Sequence, residues 1–113
     1  MLTFIEYSFA FDEQQKQVIL NMDLRHNVIL IFKEALHNVV KHSKATFVSI
    51  EVEVRRNELS LRIRDNGIGF DRSVKRKGNG LENMKQRGAK FGTLQIDSQG
   101  QKGTTILLAA RIP

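Results

Sequence analysis

The stretch TFVSIEVEVRRNELSLRIRDNGIGF, residues 46–70, decides the fold. Its first nine residues alternate strictly, Phe47, Ser49, Glu51 and Glu53 against Val48, Ile50, Val52 and Val54. Such alternation belongs to a strand with one buried face. RRNE reads as a hairpin turn, and LSLRIR (Leu59–Arg64) alternates again with Leu59, Leu61 and Ile63 on the buried side. The two strands therefore pair antiparallel. The second one ends on a carboxylate, Asp65, and runs directly into Gly67 and Gly69. A solvated turn needs one glycine or two; here GNGL (Gly78–Leu81) adds two more close by.

Outward from the hairpin, TFIEYSFAF (Thr3–Phe11) reads as an aromatic-rich strand, followed by a polar connection. From Asp23, the expected N-cap, to about Ser43 the period becomes helical, with Leu24, Val28, Ile31, Phe32, Ala35 and Val39 as the core face. A second helix is expected from about Leu81 to Lys90, with Gly92 near its stop. Two closing strands are expected near Thr93–Ser98 and Thr104–Ile112. The order β, α, β, β, α, β, β gives an α+β two-layer sandwich, with helices on one face of a mixed, mostly antiparallel sheet and the other face solvated.

The chain has 113 residues, enough for one domain, and no cysteine, so disulfides and thiolate metal sites are excluded. No apolar run is long enough to span a bilayer. The net charge of +6 favours an anionic partner. Part of that charge lies in DRSVKRKGNG (Asp71–Gly80), which equally suits a solvated loop. Neither the aromatic-and-basic pattern of an RNA-binding sheet nor a recognition helix is visible, which argues against nucleic acid.

On the first helix Glu34, Asn38 and Lys41 stand at i, i+4 and i+7, so at about 100° per residue they share one stripe. His42 is adjacent. A carboxylate or carboxamide oxygen there can hold a hydrated Mg²⁺, which takes few protein ligands. Lys41 can face a phosphate. Asp65, an acceptor when ionised, can receive the exocyclic amine of adenine, and Gly67 and Gly69 let backbone come close. Gly78 and Gly80 precede a helix N-terminus, which favours anions. The pattern G-x-x-x-x-G-K-[ST] is missing, GIGFDR lacks a third glycine, and the elements do not alternate as parallel βαβ units, so the two commonest nucleotide folds are excluded.

FKEALHNVVKHS (Phe32–Ser43) resembles the N box of the GHKL superfamily, the group of histidine kinases, gyrase-type ATPases and Hsp90. DNGIGF (Asp65–Phe70) resembles its G1 box, GNGL its G2 box, and GQKGTTILLAARIP (Gly100–Pro113) its closing Gly–Thr segment. The resemblance is greatest to the ATP-binding domain of sensor histidine kinases that act on LuxR-type response regulators. It implies the Bergerat sandwich over residues 1–113, with ATP and Mg²⁺ as cofactors and a short lid at about 71–80. It further implies Asn38 as the Mg²⁺ ligand and Glu34 as the acid that orients or deprotonates the attacking group. Lys41 and His42 would contact phosphate or ribose, and Asp65 the adenine amine beside Gly67 and Gly69. Gly78, Gly80 and Leu81 would form the lid hinge, and Thr104 or Thr105 would reach adenine through water.

The implied protein partner is a dimerisation domain carrying the phosphoacceptor histidine, expected to be absent from this chain. The response regulator is an indirect partner, and no direct membrane contact is expected of this domain. The implied place is the cytoplasmic end of a membrane-anchored sensor. Two other readings remain beside the kinase: a self-contained GHKL ATPase, and a non-catalytic partner-binding module of anti-sigma type.

Overall fold

The computed structural model describes residues 6–11, 21–68, 80–98 and 103–112. Chain order is β1 (Glu6–Phe11), α1 (Met22–Asn38), a π turn (Val39–Ser43), β2 (Phe47–Arg55), β3 (Glu58–Asp65), α2 (Gly80–Ala89), β4 (Gly92–Ser98) and β5 (Thr104–Arg111). The strands form one five-stranded sheet in the order β1-β2-β3-β5-β4. β2, β3, β5 and β4 are joined by antiparallel ladders, and β1 pairs parallel with β2 at one edge. A parallel pair needs a crossover, and α1 supplies it. β1, α1 and β2 thus form one βαβ unit at the edge, which makes the sheet mixed and mostly antiparallel as the sequence leads one to expect; beyond it the hairpin pattern holds.

The hairpin turn places Arg56 at φ 49° and Asn57 at φ 63°. Two consecutive left-handed residues are what a two-residue type I′ loop requires, and the twist of that loop matches the strands it joins. The Asn57 carbonyl also accepts from the Ile112 N–H at 2.7 Å, so the end of the chain is tied to the same turn.

The core lies between sheet and helices. Val48, Ile50 and Val54 of β2, Leu59, Leu61 and Ile63 of β3, and Ile106, Leu108 and Ala110 of β5 are buried on one face. Leu24, Ile31, Ala35 and Met84 meet them from the helical side. Glu51, Arg62, Arg64, Gln95 and Asp97 on the other face are exposed, as the alternation predicts. Gly88 lets α2 approach the sheet: a methyl there would meet the Leu94 side chain.

Three details of α1 differ from expectation. The N-cap is Asn21, whose Oδ1 accepts from the Leu24 N–H at 2.8 Å, and not Asp23. Asp23 instead accepts from Asn27 Nδ2, through its carbonyl at 2.8 Å and its carboxylate at 3.2 Å. Those bonds satisfy the Nδ2 of Asn27, which is buried on the core side of α1, while its Oδ1 has no hydrogen-bond partner among the described residues. Thirdly, the α-helix ends at Asn38, and Val39–Ser43 form a π turn that closes on Lys44 at φ 54°.

Candidate nucleotide site

The topology brings the ends of several elements to one pole. α1 leads through the π turn to the start of β2, and that start pairs with the end of β3, Val48 opposite Asp65. Asp65 is in turn opposite Thr104 at the start of β5, and Thr104 is opposite Ser98 at the end of β4. α2 is joined by its C-terminus to the start of β4 at the far pole, so its first residues, Gly80 and Leu81, lie at the same pole as Asp65.

Asp65 is buried. Its Oδ1 accepts from the Gly67 N–H at 2.8 Å. Burial pushes its carboxyl above the ordinary aspartate range, and backbone hydrogen bonds from Gly67 and Thr104 pull part of the way back. An acid buried at a strand end and held by two backbone donors is an acceptor in fixed orientation. Thr104 is buried beside it, and its Oγ1 lies 2.9 Å from Ser98 Oγ. Thr105 pairs with Arg64 and Asp97 on the opposite face of the sheet, so the alternation of β5 separates the two threonines that the sequence leaves undecided.

Asn38 ends α1 at 7% exposure, and its Nδ2 has no partner among the described residues. A buried amide without a partner is costly and signals a missing one. Glu34, one turn earlier, is half-buried, whereas Lys41 is exposed. The π turn after Asn38 turns through a smaller angle per residue than an α-helix. Glu34 and Asn38 share one face of the α-helix, and Lys41 follows within the π turn. His42 follows within the π turn, and its side chain lies outside the described parts. Gly69, Gly78 and the lid over 71–79 likewise lie outside the described residues; Gly80 opens α2, and Leu81 packs half-buried against the core.

Sequence reasoning missed two residues that shape this pole. Gly103 sits at φ +82°, and a methyl on it would lie inside the van der Waals radius of the Asp65 carbonyl oxygen, 3.1 Å from the carbonyl carbon and 3.3 Å from Asn66 Cα. Asn66 bonds by side chain and backbone to residues 46–47. Among the described residues no group of three or more His, Cys, Asp or Glu side chains is placed to hold a metal.

Solved structures share this architecture. The ATP binding domain of PrrB from Mycobacterium tuberculosis superposes with a TM-score of 0.68 at 22% identity, over 96% of this chain and 81% of that one. The blue-light activated histidine kinase of Erythrobacter litoralis gives a TM-score of 0.77 at 20% identity, over 96% of this chain and 35% of its own. At those identities the likeness is one of fold. Among curated proteins, the histidine-protein kinase/phosphatase DegS of Brevibacillus brevis is 38% identical over 92 residues, 77% of this chain and 24% of DegS. The sensor histidine kinase LiaS of Bacillus subtilis is 35% identical over 89 residues, 77% of this chain and 25% of LiaS. The chain thus spans about a quarter of the length of these relatives. Residues 24–113 match the family described as "Histidine kinase-, DNA gyrase B-, and HSP90-like ATPase", a span that takes in α1, the Asp65 turn and the closing strands. The protein is a member of that ATPase family.

Proposed function

We propose that this chain binds Mg·ATP and serves as the catalytic, ATP-binding part of a two-component sensor histidine kinase. The observation that carries the reading is Asp65, a buried and backbone-held carboxylate at the pole where α1, α2, β4 and β5 present their ends. Asp65 accepts the exocyclic amine of adenine, with Gly67 and Gly69 leaving room for the ring. Thr104 reaches adenine through water. Lys41 and His42 meet phosphate or ribose, and Gly78, Gly80 and Leu81 flank the phosphates at the lid hinge.

The residues fit a magnesium ion. Mg²⁺ takes one or two protein oxygens and fills its shell from phosphates and water, so a carboxamide and a neighbouring carboxylate suffice. The Asn38 Nδ2, a buried donor without a partner among the described residues, is consistent with a side chain that completes its bonding on an acceptor such as a phosphate oxygen or a metal-bound water. Asn38 would hold the ion through Oδ1. When bound, the ion neutralises charge on the transferring phosphoryl group. Glu34 orients or deprotonates the attacking imidazole of the phosphoacceptor.

That acceptor is a histidine on a separate dimerisation domain. His26 and His37 lie on the same helix as Asn38, with His42 in the turn just after it, and none can swing round to attack in line from the far side of the nucleotide. A response regulator of LuxR type is the indirect partner, and the site of action is the cytoplasm. The test mixes the chain with [γ-³²P]ATP, alone and with a purified histidine-bearing dimerisation segment. Label is expected on the segment alone. Label on His26, His37 or His42 would overturn the assignment of catalytic half and acceptor.

A further inference from the structure

Asn66, inside the DNGIGF stretch, bonds to the chain that follows the FKEALHNVVKHS stretch. Its Oδ1 accepts from the Thr46 N–H at 2.9 Å and the Phe47 N–H at 3.0 Å, while its Nδ2 donates to Thr46 Oγ1 at 3.0 Å. Its own N–H donates to the Phe47 carbonyl at 3.2 Å. The β2–β3 ladder ends at Val48 and Asp65, so these bonds extend the pairing beyond the strands. What they grip is the exit of α1. Between Asn38 and β2 the chain makes a π turn and then a left-handed residue, Lys44 at φ 54°. Neither is a conformation that the helix or the strand would impose by itself.

We propose that Asn66 is a positioning residue for the nucleotide. By fastening residues 46–47 to the glycine turn it fixes Asp65, which selects the base, relative to Asn38, which holds the metal and phosphate end. The proposal rests on reading this pole as an ATP site. Asn66 is exposed, so its hydrogen bonds compete with water and are not needed to satisfy a buried group. A residue that only capped the strand would affect melting and leave base selection alone. A positioning residue moves both affinity and selection, because a displaced Asp65 no longer meets the adenine amine squarely.

The test compares Asn66→Ala, Asn66→Asp and Thr46→Val by calorimetric titration with Mg·ATP and Mg·GTP, well below each melting temperature and with folding checked by circular dichroism. Asn66→Ala is expected to weaken Mg·ATP about tenfold or more and to shrink the preference for ATP over GTP. Asn66→Asp keeps the acceptor for both N–H groups and is expected to recover most of both losses. Thr46→Val removes only the Oγ1 partner; it should match the small residual loss in Asn66→Asp and add nothing to it in the double variant. Wild-type affinity and selectivity in Asn66→Ala, with only a lower melting temperature, would reduce Asn66 to a strand cap. Asn66→Asp no better than Asn66→Ala would refute the acceptor's role. If Asn66→Ala does not fold, additivity of Asn66→Asp and Thr46→Val decides against the clamp, and non-additivity supports it. An unsubstituted chain that binds no ATP would overturn the site itself, and the clamp with it.

Discussion

Gly103→Ala separates the architecture of the site from the stability of the sheet. At φ +82° a residue with a Cβ is strained by about 1–2 kcal/mol before any contact is counted. The added methyl also drives into the Asp65 carbonyl oxygen, with the carbonyl carbon at 3.1 Å. These are backbone atoms, so no rotamer change relieves the overlap, and β3 and β5 must part where Asp65 faces Thr104. Overpacking of this kind adds about 1–3 kcal/mol, for a total of roughly 2–5 kcal/mol. In a domain of this size that is a fall of about 8–20 °C in melting temperature. The parting of the strands also breaks the Thr104 bond to Asp65, so Mg·ATP affinity should fall at least about tenfold. Gly92→Ala is the control. Its methyl meets the Ala109 carbonyl group in the same way, with the carbon at 3.0 Å, at the opposite end of β5. Both variants should melt early in circular dichroism, and only Gly103→Ala should lose nucleotide in calorimetry at 10–15 °C below its own melting point, a margin of about 2 kcal/mol. Equal loss of ATP affinity in the two, or none in either, would refute the placement of the site at the Asp65 pole.

Other consequences follow from single residues. Asn38→Ala removes a buried Nδ2 donor that has no partner among the described residues, so unfolding stability should fall by no more than about 1.5 kcal/mol, while the enhancement of ATP binding by Mg²⁺ disappears in titrations with and without the metal. Asp65 holds its proton more tightly folded than unfolded, so it contributes stability below the ordinary aspartate pKa. That contribution is lost as pH rises through its raised value. The stability of the wild type minus that of Asp65→Asn should therefore decline with pH across this window, and a difference that climbs would contradict the burial argument. Arg56→Asn replaces a bulky residue at φ 49° with one that tolerates the left-handed region, and should raise the melting temperature by about 2–4 °C, near 0.5 kcal/mol.

Strand positions were legible because alternation is a local signal: Leu59, Leu61 and Ile63 face the core as their spacing requires. Asp65 was legible because an acid at a strand end followed by glycine is an uncommon local arrangement. Other features depend on neighbours that sequence order does not reveal. Gly103 matters only because β5 lies beside β3, and Thr104 is distinguished from Thr105 only by the register of that pair. The π turn over Val39–Ser43 lies in a run too short to disturb the apolar period, so it leaves no signal in the sequence. Asn21 and Asp23 are both good caps two residues apart, and the choice fell to Asn21 because its side chain reaches the Leu24 N–H. Asn27 lies on the core line yet reads as polar; its burial depends on the Asp23 acceptors one turn away.

The central claim is that Asp65 reads adenine in an ATP site at this pole. Its direct test is calorimetric titration of the 113-residue chain and of Asp65→Asn with Mg·ATP and Mg·GTP. The account predicts saturable binding of ATP by the unsubstituted chain and weak binding of GTP. It predicts a loss of about 1.5–3 kcal/mol in ATP binding on substitution, the worth of a hydrogen bond to a charged group. Equal affinity for the two nucleotides, or an Asp65→Asn chain that binds ATP as tightly as the unsubstituted one, would contradict it.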